Sequence, residues 1–188
     1  QFLPSPLLHV QVAFTYLIEA SVIDASGLLL DAGSGDGRIV ALTALVHAIP
    51  TVGVEYDAEL VGHSRQHLKT LKRLGLRGAS DSILQGDFTE DDTYAQAGMR
   101  FEDFATVFNY INNEGDIALK VAQQSPPGTK LIILGAFPLP EYRGLSLEHN
   151  LHLATGTGTA HSVDFAIRPI TDDAYIDPMA TYLQVYRT

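Results

Sequence analysis

Three glycines stand close together in Asp31-Ala-Gly-Ser-Gly-Asp-Gly37, directly after the apolar run Leu28-Leu-Leu-Asp31 and directly before a helical pattern that opens at Arg38. Glycines at this density let a backbone come close to a ligand, and a helix N-terminus behind them favours a carboxylate or a phosphate. Nicotinamide and flavin enzymes use the same strand-turn-helix device, with glycines at the first, third and sixth positions. Here the sixth position is Arg38, and the third glycine comes early, at Gly37. Arg38 reads either as an anion contact at this loop or as a side chain that lies on the surface or packs on a neighbour.

Two more carboxylates close strand-like runs. Val54-Glu55 ends the second run, eighteen residues after Gly37, where a carboxylate can accept both hydroxyl hydrogens of a ribose. The third run delivers Gly86-Asp87-Phe88, a carboxylate beside an aromatic ring, suited to the amino group and the face of an adenine. Taken singly, each carboxylate reads first as a helix cap or a surface turn. Three of them at successive strand ends read as a site that outlines an adenosine.

The elements that must position these groups follow from periodicity. Apolar runs bounded by glycine and polar residues recur at Leu28–Asp31, Thr51–Glu55, Ser82–Gly86, Ala105–Asn109 and Lys130–Leu134, each fit for a buried parallel strand. Helical segments separate them, most clearly Ile39–Ile49, Ala58–Leu74 and Gly115–Gln124, with Asp57 placed to cap the second and Gly75 to end it. Alternating strand and helix predicts an α/β fold, a doubly wound and mostly parallel Rossmann-like sheet. After Leu134 the pattern changes. Phe137-Pro-Leu-Pro140 breaks the chain, and strand-like segments near Leu147–Ala154, Val163–Pro169 and Thr181–Arg187 have no helix between them, which predicts antiparallel pairing. Gly156-Thr-Gly158 reads as a hairpin turn or a mobile loop. No repeat or linker divides the chain, so a single domain is expected over 1–188: an entrance segment and helix in 1–27, a cofactor-binding core in 28–134 and antiparallel strands in 135–188.

Composition narrows the function classes. A chain of 188 residues with 46% apolar content can close one substantial core. A net charge of -10 works against broad phosphate-backbone binding and disfavours nucleic acid as substrate. The one basic cluster, Lys69, Lys72, Arg73 and Arg77, has helical spacing and reads first as a solvated helix face, with an acidic partner as the alternative. Absence of cysteine removes disulfides, thiolate metal sites and cysteine nucleophiles. The apolar stretch Leu7–Ile18, stopped by Glu19, is too short to span a bilayer. The chain starts at Gln1, which suggests that an upstream segment was cut or left out, and an anchor could have gone with it; a cytoplasmic location is the default expectation. His63 and His67 share a helix face, and His149 lies near His152, but no third ligand has a claim in the sequence, so no metal is expected.

DAGSGDGRIV, VGVEYD and GDF together resemble the seven-strand class I S-adenosylmethionine-dependent methyltransferases over roughly Leu28 to Leu134. The resemblance implies that Asp31, Gly33, Ser34, Gly35 and Gly37 surround the methionine moiety of S-adenosylmethionine. It sets Glu55, with Tyr56 beside it, at the ribose, and Asp87 with Phe88 at the adenine. GSGDGRIV with GVEYDAELVGHSR is also similar to the ATP synthase c-subunit lysine methyltransferase family and, more distantly, to histone-lysine methyltransferases of the telomeric-silencing type. That narrower family often carries a proline-containing segment like Phe2-Leu-Pro-Ser-Pro6 near the cofactor; a plain terminal arm is the alternative.

In this class the fourth strand end faces substrate, here Phe108-Asn109-Tyr110-Ile-Asn112-Asn113-Glu114. It is not the Asn-Pro-Pro-Tyr of amino-directed nucleic-acid methyltransferases. The expected catalytic set is Asn109, which would orient an acceptor nitrogen through its amide oxygen and also border the cofactor, with Glu114, Tyr110 or water to take the proton. Asn109 and Asn112 read equally as turn formers. The leading expectation is methyl transfer to an amine such as a protein lysine, beneath a lid of Phe2–Pro6 and Phe137–Pro140. The alternatives are a small-molecule acceptor, a nicotinamide-dependent oxidoreductase and a cofactor-binding module without chemistry.

Overall fold

The computed structural model of the chain describes residues 3–75, 82–110, 113–135, 141–155, 165–169 and 181–188. Helix α1 (Leu7–Glu19) precedes an alternation of β1 (Leu29–Ala32), α2 (Arg38–Val46), β2 (Thr51–Glu55), α3 (Ala58–Arg73), β3 (Ile83–Gln85), α4 (Asp91–Ala95), β4 (Thr106–Tyr110), α5 (Glu114–Gln124) and β5 (Lys130–Gly135). Strands β6 (Ser146–Thr155), β7 (Phe165–Pro169) and β8 (Thr181–Arg187) follow. All join one eight-stranded sheet in the order β3-β2-β1-β4-β5-β8-β6-β7. Strands β1 to β5 are mutually parallel, while β8 runs antiparallel to both β5 and β6, and β7 antiparallel to β6. The fold is therefore the doubly wound, Rossmann-like α/β sheet with an antiparallel C-terminal region.

Alternating side-chain directions along each strand build two cores. Leu29 and Phe108 pack with Val10, Phe14 and Leu17 of α1 and Ile39 of α2. Leu30 and Val107, one residue out of phase, pack with Ile117, Ala118 and Val121 of α5 and Tyr94 of α4. Helix α3 covers the first face farther along, where Val61 and Leu68 meet Val40 and Ile83. The central strands are buried on both faces, which explains their unbroken apolar runs.

Asp57 caps α3 as expected, its Oδ1 accepting the Glu59 and Leu60 amides at 2.8 and 3.2 Å, and Gly75 follows the helix at φ 77°. Helix α2 stops short of the expected Ile49. Pro50 disfavours a helical Ile49, and Ala48 takes a left-handed turn at φ 55° that drops Ile49 into the core. Helix α4 and the 3-10 turn Phe101–Asp103 went unforeseen, being too short to show a period; Tyr94, Phe101 and Phe104 hold them together with ring centroids 5.5–6.2 Å apart. Among the described residues no helix is long and apolar enough to cross a membrane. The expected turn at 156–158, the lid segment 137–140, Asn112 and Arg77 lie outside the described residues.

Candidate functional site

Strand order reverses between β1 and β4: the chain winds outward to β2 and β3 on one side and to β5 on the other. Open sheets of this kind bind ligands in the crevice at the carboxyl ends of the strands flanking the reversal. The glycine loop leaves β1 at that point. Gly33, Gly35 and Gly37 all have positive φ, at 85°, 54° and 77°. The loop is tied down by its own backbone: the Gly33 and Ser34 amides donate to the Val54 carbonyl at 2.9 Å, and the Gly37 amide to the Ser34 carbonyl at 2.9 Å. At Gly37 a Cβ would lie 2.1 Å from Ser64 Oγ and 3.1 Å from Ser64 Cβ, so glycine is required by both conformation and contact with α3.

Three carboxylates line up across adjacent strands β1, β2 and the turn after β3. Asp31 is buried, and its Oδ2 has no hydrogen-bond partner among the described residues. Burial, then the charges of Glu55 and Asp36, push its carboxyl up to about 8. Glu55 accepts the Gly35 amide through Oε2 and the Asp57 amide through Oε1, each at 2.8 Å, which fixes the carboxylate against the loop. Each oxygen retains a lone pair for a further donor. Asp87 is exposed, with Oδ1 accepting the Thr89 amide at 2.8 Å and the Thr89 hydroxyl at 2.7 Å. It is thus a turn former and a strand-end carboxylate at once.

Arg38 takes the quieter of its two expected roles, pairing with Asp36 at 2.6 Å within the loop. Burial raises the Asp36 carboxyl, but hydrogen bonding and the charge of Arg38 outweigh it and hold the group below the ordinary range. Ser34 is buried with an Oγ that has no partner among the described residues, and it packs over Gly53 of β2. Tyr56, next to Glu55, is 78% exposed and leaves a ring open at the sheet edge.

One expectation needs correction. Phe88 does not offer a ring face: it is 7% exposed and packs in the core with Tyr94 and Phe104, while the Tyr94 hydroxyl donates to its carbonyl at 2.6 Å. An aromatic ring directly after the turn is drawn inward because α4 supplies an apolar pocket beneath it. Asn109 is fully buried, and its Nδ2 donates to the Ala32 carbonyl of β1 at 2.9 Å. That bond clamps β4 to the start of the glycine loop, so at least one donor of the amide serves the fold. Tyr110 is half-buried against the α1 side of the core, with its hydroxyl pKa raised by desolvation. Glu114, half-buried, opens α5 behind Asn113, which sits in left-handed conformation at φ 50°. No hydrogen bond among the described residues joins Asn109, Tyr110 and Glu114 to one another.

Sequence reading missed Lys120. It is 5% exposed on α5, with Nζ donating to the Thr89 carbonyl at 2.9 Å and to Asp91 at 2.5 Å, and it lies 4.9 Å from the Phe101 ring centroid. Because Thr89 in turn holds Asp87, this ammonium braces the third carboxylate from behind. The signal was a lysine at a core-facing position between Ile117 and Val121, where an apolar residue is the usual choice.

No family model and no curated protein matches the chain. Solved structures do. An RNA methyltransferase from Salinibacter ruber in complex with S-adenosylhomocysteine is 22% identical, with 98% of this chain and 93% of that chain covered and a TM-score of 0.55. An rRNA methyltransferase from Streptomyces viridochromogenes is 11% identical over 99% and 86%, at 0.62. A magnesium protoporphyrin IX methyltransferase from Synechocystis PCC 6803 with bound S-adenosylmethionine is 14% identical over 96% and 78%, at 0.59. At these identities the likeness concerns the fold.

Proposed function

We propose that the chain is a class I methyltransferase that uses S-adenosylmethionine. The observation that carries the reading is the row of carboxylates Asp31, Glu55 and Asp87 across three neighbouring strands, at the point where the sheet order reverses. Neighbouring strands are about 5 Å apart, so the row spans about 10 Å, the scale of a nucleoside with a short extension. Asp31 presents a buried oxygen without a partner among the described residues, a fit for a ligand ammonium. Glu55 has lone pairs left for ribose hydroxyls, and the Tyr56 ring is open for stacking. The similar folds that hold S-adenosylmethionine or its demethylated product support the same ligand.

Bound S-adenosylmethionine would supply an electrophilic methyl group on a sulfonium. The protein's share is alignment and exclusion of water. On the acceptor side, Glu114 is the better proton acceptor: burial raises the Tyr110 hydroxyl and keeps it neutral. An amine acceptor fits such a base. A protein lysine is the acceptor that the likeness of GSGDGRIV and GVEYDAELVGHSR to lysine methyltransferases supports; a small molecule or RNA stands beside it, the acceptor kinds carried in the names of the similar structures.

Isothermal calorimetry tests the cofactor. S-adenosylhomocysteine should bind and NAD should not, and Glu55→Ala should weaken binding by about 1–3 kcal/mol. Binding of NAD without S-adenosylhomocysteine would overturn the reading; an unchanged affinity in a folded Glu55→Ala variant would remove Glu55 from the site.

A further inference from the structure

A chain with 22 acidic and 12 basic residues would be expected to scatter its cations among its acids. Helix α3 does the opposite. Arg65, Lys69 and Arg73 follow one another at four-residue spacing, and with Lys72 and Ile83 they line a groove of about 800 Å³ between the helix and β3, the end strand of the sheet. The three stripe residues are exposed. The positions three and four away from Lys69 are Arg65, Gln66, Lys72 and Arg73, so the stripe has no acidic partner along its own helix. Like charges at this spacing destabilise a helix. Lys72 and Arg73 are repaid by the helix dipole in the last turn, but Arg65 and Lys69 lie too far from the end for that.

Further features mark the stripe as organised. The Arg65 guanidinium is braced by the Ile83 carbonyl, at 2.9 Å from Nη2 and 3.3 Å from Nε, which pins the group to the edge strand. Lys69 and Arg73 form no ion pair among the described residues. Four residues of helix rise about 6 Å, comparable with the separation of successive phosphates along one nucleic-acid strand. An acidic peptide reaches a comparable repeat only in a fixed secondary structure, about 6 Å along a helix face or about 6.7 Å along one face of a strand, whereas a nucleic-acid strand carries it in its covalent backbone.

We propose that this groove binds the phosphodiester backbone of a single nucleic-acid strand. The overall negative charge does not forbid it, because charges more than about 8 Å away are largely screened at physiological salt. Helix α3 begins beside Glu55 and runs back along the sheet, so the strand would lie along its outer side with one end directed toward the carboxylate row. The stripe holds flanking backbone; the reacting group would lie beyond it. As a route for a methyl acceptor the groove rests on the methyltransferase reading, whereas binding itself is independent of it.

The test is fluorescence anisotropy with a labelled twelve-nucleotide RNA, the matching single-stranded DNA, and polyglutamate as competitor, with S-adenosylhomocysteine calorimetry in parallel. RNA or DNA should bind with a log–log salt slope of about -2, from three contacts at about 0.7 each. The double variant Lys69→Glu with Arg73→Glu should weaken binding at least tenfold and flatten the slope, with affinity for S-adenosylhomocysteine unchanged. Preference for RNA over DNA would name the strand. No binding of either strand, binding indifferent to the double variant, or equal competition by polyglutamate would overturn the proposal; loss of S-adenosylhomocysteine binding alone would count against the cofactor reading instead.

Discussion

Asp31 shows how one residue can look structural and functional at once. Its carboxyl, raised to about 8 chiefly by burial, is protonated in the fold over a range where an unfolded aspartate, near 4, is ionised. The resulting contribution to stability is fully present below about pH 4 and is lost as pH rises through about 8, so the ligand-free protein should weaken across that window. Asp31→Asn removes the dependence. Urea midpoints for the two proteins should differ little near pH 4, and the variant should gain steadily on the parent up to pH 8; a difference that does not change with pH would show that Asp31 is not neutral in the fold. A ligand ammonium beside the carboxyl would reverse the preference and release a proton on binding.

At the level of elements, the loop and its flanking helices hold one another in place. Gly37 satisfies a left-handed turn, the start of α2 and the close approach of Ser64 from α3. Gly37→Ala should cost about 1–3 kcal/mol, combining backbone strain with the contact. Adding Ser64→Ala should restore only part, since the Oγ contact goes but the φ of 77° and the nearby Ser64 Cβ remain. Chemical denaturation of the single and double variants measures both terms, and full recovery in the double variant would assign the whole cost to the contact. Strand β2 ties in from the other side, with the Val54 carbonyl and the Glu55 carboxylate both holding loop amides.

Over the whole molecule, β8 is the strand that makes one body of two kinds of topology. It pairs with β5 on one side and β6 on the other, and places Leu183 and Val185 in the same core as Val10 and Phe14 of α1. We therefore expect a single cooperative unfolding transition, with calorimetric and van't Hoff enthalpies in agreement. Leu183→Ala, at a fully buried site, should lower stability by about 2–5 kcal/mol and shift that one transition as a unit. A separate early transition in the variant would mean that the C-terminal strands unfold on their own.

The sequence by itself determined the parallel half of the sheet, the glycine loop and the strand-end carboxylates, because those features are local. A buried strand needs an apolar run, a left-handed loop needs glycine, and a helix start needs a cap such as Asp57. It also gave the antiparallel character of the last strands, though not that β8 would insert between β5 and β6, which depends on packing between segments far apart in the chain. Side-chain direction after a strand end was equally out of reach. Phe88 turned inward once α4 closed beneath it, and the Asn109 amide reached the Ala32 carbonyl because β4 lies beside β1. Lys120 gained its role only when α5 met the turn that holds Asp87. In each case the deciding partner comes from another element, and only the tertiary structure brings the two within hydrogen-bond or van der Waals distance.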